Sequence, residues 1–212
     1  MNVIAIDGPA GAGKSTIAKA LATRLGVDYL DTGAMYRAVT VAGQRRGIAL
    51  DDLPAIGALA RELQLVIDDD GVFIDGVESG NEIRTPAVTA AVSAVASNSE
   101  VRAELRARQR AWAHEHGGGV IEGRDIGSVV FPEARLKLYL TASPRVRAER
   151  RVAEAGGDVD EIERAIAVRD GTDTSRADGP LREADGALVV DTTGLGIDEV
   201  LDVIEQLLRE TQ

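Results

Sequence analysis

The chain has 212 residues, no cysteine, and 24 basic against 35 acidic side chains, for a formal net charge of −11. That length predicts one main core with small insertions, burying roughly 70% of the unfolded surface without covalent staples. The charge excludes a sequence-independent grip on a nucleic-acid backbone, and the missing thiols exclude disulfides and thiolate metal sites.

The opening run "NVIAID" (2–7) is too short for a signal-peptide core or a membrane span. The expectation is therefore a soluble, unexported, cytoplasmic protein that binds a small phosphorylated ligand rather than nucleic acid or membrane. The same run reads as a first buried strand, and "KSTIAKALATRLG" after it reads as a helix, with Ile17, Leu21 and Leu25 at i, i+4, i+8 and Gly26 closing it.

Between the two lies Gly8-Pro9-Ala10-Gly11-Ala12-Gly13-Lys14-Ser15, which satisfies G-x-x-x-x-G-K-[ST] in the required strand–loop–helix setting. Glycine-permitted turns aim successive backbone N–H groups inward, a cradle for anionic phosphates at a helix N-terminus. Lys14 adds a point charge on the β- and γ-phosphates, and the Ser15 hydroxyl is suited to Mg²⁺. The predicted occupant is a nucleoside triphosphate. A dinucleotide fingerprint is not met, since Thr16 stands where its third glycine would fall.

Further along, "VDYLD" (27–31) reads as a second strand whose end places Thr32 and Arg37 at the carboxyl edge of a sheet, where ligands of open α/β folds bind. The segment 63–85 breaks the alternation. Its β-type runs are joined by "DDDG" and "DG", which predicts a small antiparallel insertion, and "IDDD" (67–70) reads as a polar turn rather than a metal site. A helical stretch follows over "SEVRAELRARQRAWAHEHGGG", ended by its three glycines, with Val101, Leu105 and Trp112 as its core face, while Ser93 and Arg102 are within reach of the same cleft. His114 and His116 stand at i, i+2 and point different ways, which argues against shared metal ligation.

Three more apolar runs, 119–123, 136–141 and 187–192, complete five strands alternating with helical segments, the pattern of a parallel α/β sheet. The third strand ends in "EGRDIG", presenting Glu122, Arg124 and Asp125. Arg147, Arg150 and Arg151 fall at i, i+3, i+4, and Arg169, Asp173 and Arg176 are read as a second such face. Together they flank a Gly-rich stretch within the segment 154–181, an arrangement that reads as a closing lid.

Two arginine groups beyond the triphosphate loop suit a kinase whose acceptor itself carries a phosphate, because guanidinium forks grip phosphate oxygens bidentately. A guanine-specific switch would need an NKxD-type base reader, which is absent, and "DTTG" (191–194) comes too late in the chain to be a switch loop. A regulatory nucleotide-binding module would need only one of the two sites.

The stretches "IDGPAGAGKST", "LDTGAMYR", "EIRT", "VRAELRARQR", "EGRDIGSVVFP", "LKLYLTAS", "RAERR" and "RDGTDTSR" closely resemble the bacterial cytidylate kinases, in the family's order and over nearly the full length. The resemblance implies a P-loop fold with a five-stranded parallel sheet flanked by helices, a small antiparallel insertion and a mobile lid. It implies a single kinase unit (1–212), an acceptor region over 32–118 with its insertion near 63–85, and a lid over 144–180. The activity implied is transfer of the γ-phosphate of ATP, with Mg²⁺, to CMP or dCMP by a monomer. Another nucleoside monophosphate such as UMP or AMP remains the alternative acceptor.

Carried over by motif, Gly8 through Thr16 with Arg147 and Arg151 would hold ATP. Lys14, Arg150, Arg124 and Arg176 would act on the transferring group, and Ser15 would ligate the metal. Arg37, Arg124 and Arg176 would hold the acceptor phosphate, Arg169 and Asp173 its ribose, and Ser93, Arg102 and Asp125 its cytosine, with Thr32 close by. A carboxylate at position 125 would reward cytosine's amino donor over uracil's carbonyl. Ser15-Thr16 stands where many relatives carry Gly-Thr, so either hydroxyl could reach the metal, and Thr172 replaces a lid arginine of some relatives.

Overall fold

The computed structural model describes residues 2–68 and 71–210. Backbone contacts divide the chain into two compact units, one of Met1–Leu30 with Ala113–Gln212, the other Asp31–Trp112.

The first unit is built on a five-stranded sheet of β1 (Asn2–Asp7), β2 (Tyr29–Asp31), β6 (Gly118–Gly123), β7 (Leu136–Thr141) and β8 (Leu188–Asp191), in the order β2-β6-β1-β7-β8. Strand β1 lies at the centre and runs parallel to both neighbours, with Asp7 opposite Gly123 on β6 and Tyr139 on β7. Val3, Ile4, Ala5 and Ile6 are buried together, as expected of a parallel strand covered on both faces. The core below it joins Ile17, Ala18 and Leu21 of α1 (Lys14–Leu25) to Val200, Leu201, Ile204 and Leu208 of α8 (Ile197–Glu210). All five strands thus fall where the apolar runs placed them, with ends shifted by no more than two residues.

Two helices read from the lid segment are α6 (Pro144–Ala155) and α7 (Val159–Thr174), packed on each other. Ser143 caps α6 through the Val146 N–H, and Asp158 caps α7 through the Glu161 N–H at 3.0 Å. Helix α7 is shorter than the spacing of Arg169, Asp173 and Arg176 on one face requires. Arg176 lies beyond the end of α7, so Arg169, Asp173 and Arg176 do not share a helix face. The chain turns back instead, with the Leu181 N–H donating to the Asp173 carbonyl at 2.9 Å.

The second unit packs α2 (Thr32–Arg45) against α3 (Leu53–Glu62), α4 (Pro86–Ser97) and the antiparallel sheet β3 (Leu65–Asp68), β4 (Gly71–Ile74) and β5 (Val77–Glu78). The insertion is therefore antiparallel as expected, ending at Glu78 before the 3₁₀ turn Glu82–Arg84. Residues Asp69 and Asp70 of the expected polar turn lie outside the described residues. Helix α5 (Ser99–Glu115) buries Val101, Leu105, Gln109 and Ala113, a stripe at strict i+4 spacing. Trp112 flanks that stripe half-buried rather than filling the core, because each four-residue step carries the buried face past it.

Candidate active site

The sheet's carboxyl edge in the first unit is where chemistry-bearing residues collect. From β1 the chain passes directly into the phosphate-type loop, and glycine is demanded there by close approach. A Cβ at Gly8 (φ +150°) would lie 2.0 Å from the Leu140 carbonyl oxygen, and one at Gly11 (φ +75°) would lie 2.7 Å from that of Arg147. Gly13, left-handed at φ 83°, caps α1 without a side-chain bond, so the first-turn N–H groups of that helix are left to a ligand or solvent.

Lys14 is buried, its Nζ donating to the Pro9 carbonyl at 2.9 Å. Burial first, then the positive fields of Arg124 and Arg169, push its ammonium down to about 7, against the opposing pull of Glu122 and Asp7. Such a lysine lacks the anions that would hold its charge. Ser15, next in the helix, is half-buried and Thr16 exposed.

Three of the sequence-chosen residues form one cluster, with Asp173 and Arg176 buried and Arg124 half-buried. The Asp173 carboxylate accepts from Arg124 Nε at 2.9 Å and from Arg176 on its other oxygen at 2.5 Å. Burial would raise that carboxyl, but Arg124 and Arg176 outweigh it and hold the group below the usual carboxylate range. Arg169 contributes to the same field. Arg147 donates to the Ala10 carbonyl at 2.9 Å and to Asp170, whose other oxygen accepts the Ala10 N–H at 3.0 Å. Arg150 donates to both the hydroxyl and the carbonyl of Thr192, at 2.9 and 2.8 Å. Arg151, by contrast, is paired with Glu154 on the surface at 3.1 Å.

The second unit positions its own set. Thr32 opens α2 behind the Asp31 cap, which accepts the Ala34 N–H at 2.9 Å. Arg37, one turn on, donates to the Ile83 carbonyl and the Thr89 hydroxyl at 3.0 and 2.9 Å. Arg102 is buried, with its guanidinium carbon 5.7 Å from the centre of the Tyr36 ring and a bond of 3.2 Å to the Ala96 carbonyl. Ser93 is half-buried on α4.

Four polar residues that sequence reasoning did not single out belong to the first unit's site. Asp7 accepts the N–H groups of Ile126 and Gly127 at 2.8 and 2.7 Å. Tyr29 donates to Glu122 at 2.6 Å. Asp170 and Thr192 hold the arginines described above. Asp7 had a visible signal, a carboxylate ending an apolar buried run, and Thr192 stood inside a motif dismissed for its chain position. Nothing in the sequence distinguished Asp170 from the other acids of the segment 154–181.

Among the described residues no three His, Cys, Asp or Glu side chains gather to hold a metal, and no helix is long and apolar enough to cross a membrane.

A family model described as cytidylate kinase matches residues 4–210 of this chain. The chain is 46% identical to the cytidylate kinase of Geobacter sulfurreducens, covering 99% of this chain and 94% of that protein. It is 46% identical to the one from Mycobacterium leprae, covering 98% and 96%, and 48% identical to the one from Exiguobacterium sibiricum, covering 96% and 95%. Among solved structures, an uncharacterised protein from Eubacterium ventriosum superposes with a TM-score of 0.56 at 13% identity over 99% of each chain. A Thermus thermophilus protein superposes at 0.50 with 19% identity, over 100% of this chain and 98% of that one, a likeness of fold alone.

Proposed function

The chain belongs to the cytidylate kinase family, and from that premise we propose how its own residues carry a γ-phosphoryl group from ATP to CMP or dCMP. The observation that carries the reading is Lys14. It is a buried ammonium where the glycine loop passes into a helix whose first turn has no side-chain cap, and there burial and the positive fields of Arg124 and Arg169 together outweigh the pull of Glu122 and Asp7. A triphosphate supplies the missing negative charge.

Transfer to a phosphate oxygen needs no strong base, because that oxygen is already anionic. The protein's task is to bring two anions together and stabilise charge in the transferring group. Gly8 to Thr16 would cradle the donor phosphates, Lys14 would lie on the β- and γ-oxygens, and Arg150 would leave Thr192 to reach the transferring group as α6 and α7 act as a lid. Arg147 sits against the loop's Ala10, in reach of the nucleotide, whereas Arg151 on the surface would serve it less directly.

Arg124 and Arg176 would exchange part of their bonding to Asp173 for the acceptor phosphate, with Arg169 and Asp173 near the ribose and Asp125 reading the cytosine amino group. Thr32, Arg37, Ser93 and Arg102 of the second unit are assigned to the same acceptor by the family pattern. Ser15 or Thr16 would offer a hydroxyl to a Mg²⁺ carried on the triphosphate, for which no acidic cluster is found among the described residues, and the ion would supply charge neutralisation to the phosphates. We assign the protein to the cytoplasm as a monomer.

Lys14→Ala and Arg150→Ala are each expected to lower kcat by roughly 10²–10⁴-fold, as loss of a transition-state charge clamp would. Steady-state kinetics check this, and a variant keeping near-normal turnover removes that residue from the mechanism.

A further inference from the structure

Residues Ile126–Val130 form a single π-type turn, in which the Val129 and Val130 N–H groups both reach the Asp125 carbonyl and the Phe131 N–H reaches that of Ile126. Its first N–H groups, on Ile126 and Gly127, have no partner within the turn and lie in a buried place, where an unsatisfied donor costs about 1–3 kcal/mol. Asp125 stands at the cap position and is of a residue type that commonly caps, yet its side chain makes no cap bond. The bonds come instead from Asp7, at 2.8 and 2.7 Å, one carboxylate oxygen to each N–H.

Asp7 is the last residue of the central strand, itself buried, and is followed at once by Gly8 of the donor loop. The same residue is thus covalently joined to the donor loop and hydrogen-bonded to the loop that carries Arg124 and Asp125. We propose that Asp7 is a positioning residue for acceptor recognition: its carboxylate takes over the capping of the 126–130 turn, fixing where Arg124 and Asp125 present their side chains. This inference rests on reading those two residues as acceptor-binding groups.

The chemistry requires a carboxylate. Two adjacent N–H donors need two acceptor oxygens, and an amide of the same shape offers one oxygen and a donor that would face a donor. Asp7→Asn conserves volume and breaks this match while also removing a negative charge near Lys14, so the comparison of KM for CMP with KM for ATP separates positioning of the acceptor loop from an effect on the donor loop. The expected result is a rise of at least about tenfold in KM for CMP and a fall in the preference for CMP over UMP, with KM for ATP changed less than about threefold. Arg124→Ala, measured alongside, reports on the acceptor reading itself and should raise KM for CMP.

If Arg124→Ala raises that KM and Asp7→Asn does not, the acceptor reading stands and the role of Asp7 is overturned. If Arg124→Ala leaves it unchanged, the acceptor reading has failed and the inference falls with it. A parallel rise in KM for ATP would assign Asp7 to the donor loop and likewise overturn the inference. Should the Asn variant not fold, Asp7→Ser, which keeps one acceptor, is read by the same KM split. In the unaltered protein, the amide resonances of Ile126 and Gly127 should titrate together near pH 6, following a carboxyl raised first by burial and also by Asp125, against the lowering effect of the Gly127 and Ile126 N–H groups and of Lys14. Amide shifts independent of pH there would contradict the bonding on which the role depends.

Discussion

Two buried titratable residues at the carboxyl end of β1, Asp7 and Lys14, are held away from their ordinary ionisation in ways that can be measured. Lys14, at about 7 against an unperturbed 10.5, binds fewer protons folded than unfolded between those values, so its contribution makes stability rise with pH across that window. A triphosphate beside it favours the ammonium and must raise its pKa. Near pH 8, ATP binding should therefore draw protons from solution, and the affinity should fall as pH rises from about 7. Calorimetry in buffers of differing ionisation enthalpy checks this, and an uptake of zero would remove Lys14 from the phosphate contact. Asp7 behaves oppositely. Its carboxyl, raised by burial from 3.8 to about 6, binds more protons folded than unfolded in that interval, so it costs stability as pH climbs through it.

At the scale of elements, α6, α7 and the loop after them, the proposed lid, are tied by ion pairs and hydrogen bonds to the loops at the sheet's edge. Arg147 and Asp170 bracket Ala10, and Asp173 neutralises Arg124 and Arg176. Asp173 is held below the usual carboxylate range, so its stabilisation is present above pH 3.8 and is lost as pH falls through its lower folded value. Asp173→Asn would leave two guanidinium groups poorly compensated, one of them almost wholly buried, which costs about 3 kcal/mol. That corresponds to a melting point lower by roughly 6–12 °C. A variant melting within 2 °C of the parent would show that the cluster does not hold α7 and the following loop in place.

The strands were legible because each buried parallel strand is a short apolar run closed by Gly, Asp or Thr, and that signal survives without knowledge of neighbours. Arg176 was misassigned for the opposite reason. Helical spacing continues through Ser175 in the sequence, but the return of Leu181 onto Asp173 ends the helix, a contact of tertiary origin. The π-type turn 126–130 was equally hidden, since "IGSVV" has the composition of a strand and its capping donor-acceptor match comes from Asp7, 119 residues away.

Over the whole molecule, one unit is a parallel sheet with the glycine loop and an arginine cluster, and the other is helical with a small antiparallel sheet and holds Arg37 and Arg102, which the proposed function assigns to the acceptor. The glycine loop was plain in the sequence because backbone geometry restricts its residues. The acceptor set was readable only through family motifs, since arginines on separate elements have no spacing that announces a shared ligand. Discrimination among acceptors is accordingly the sharpest test, for a wrong base contact is worth about 1–3 kcal/mol, enough to separate substrates clearly.

The most direct measurement is ADP release from ATP and Mg²⁺ with CMP, dCMP, UMP, AMP or GMP supplied singly, against a blank without acceptor. The proposed account predicts strong stimulation by CMP and dCMP and little by the purine nucleotides. Release no greater than the blank with every acceptor, or greatest with AMP, would contradict it.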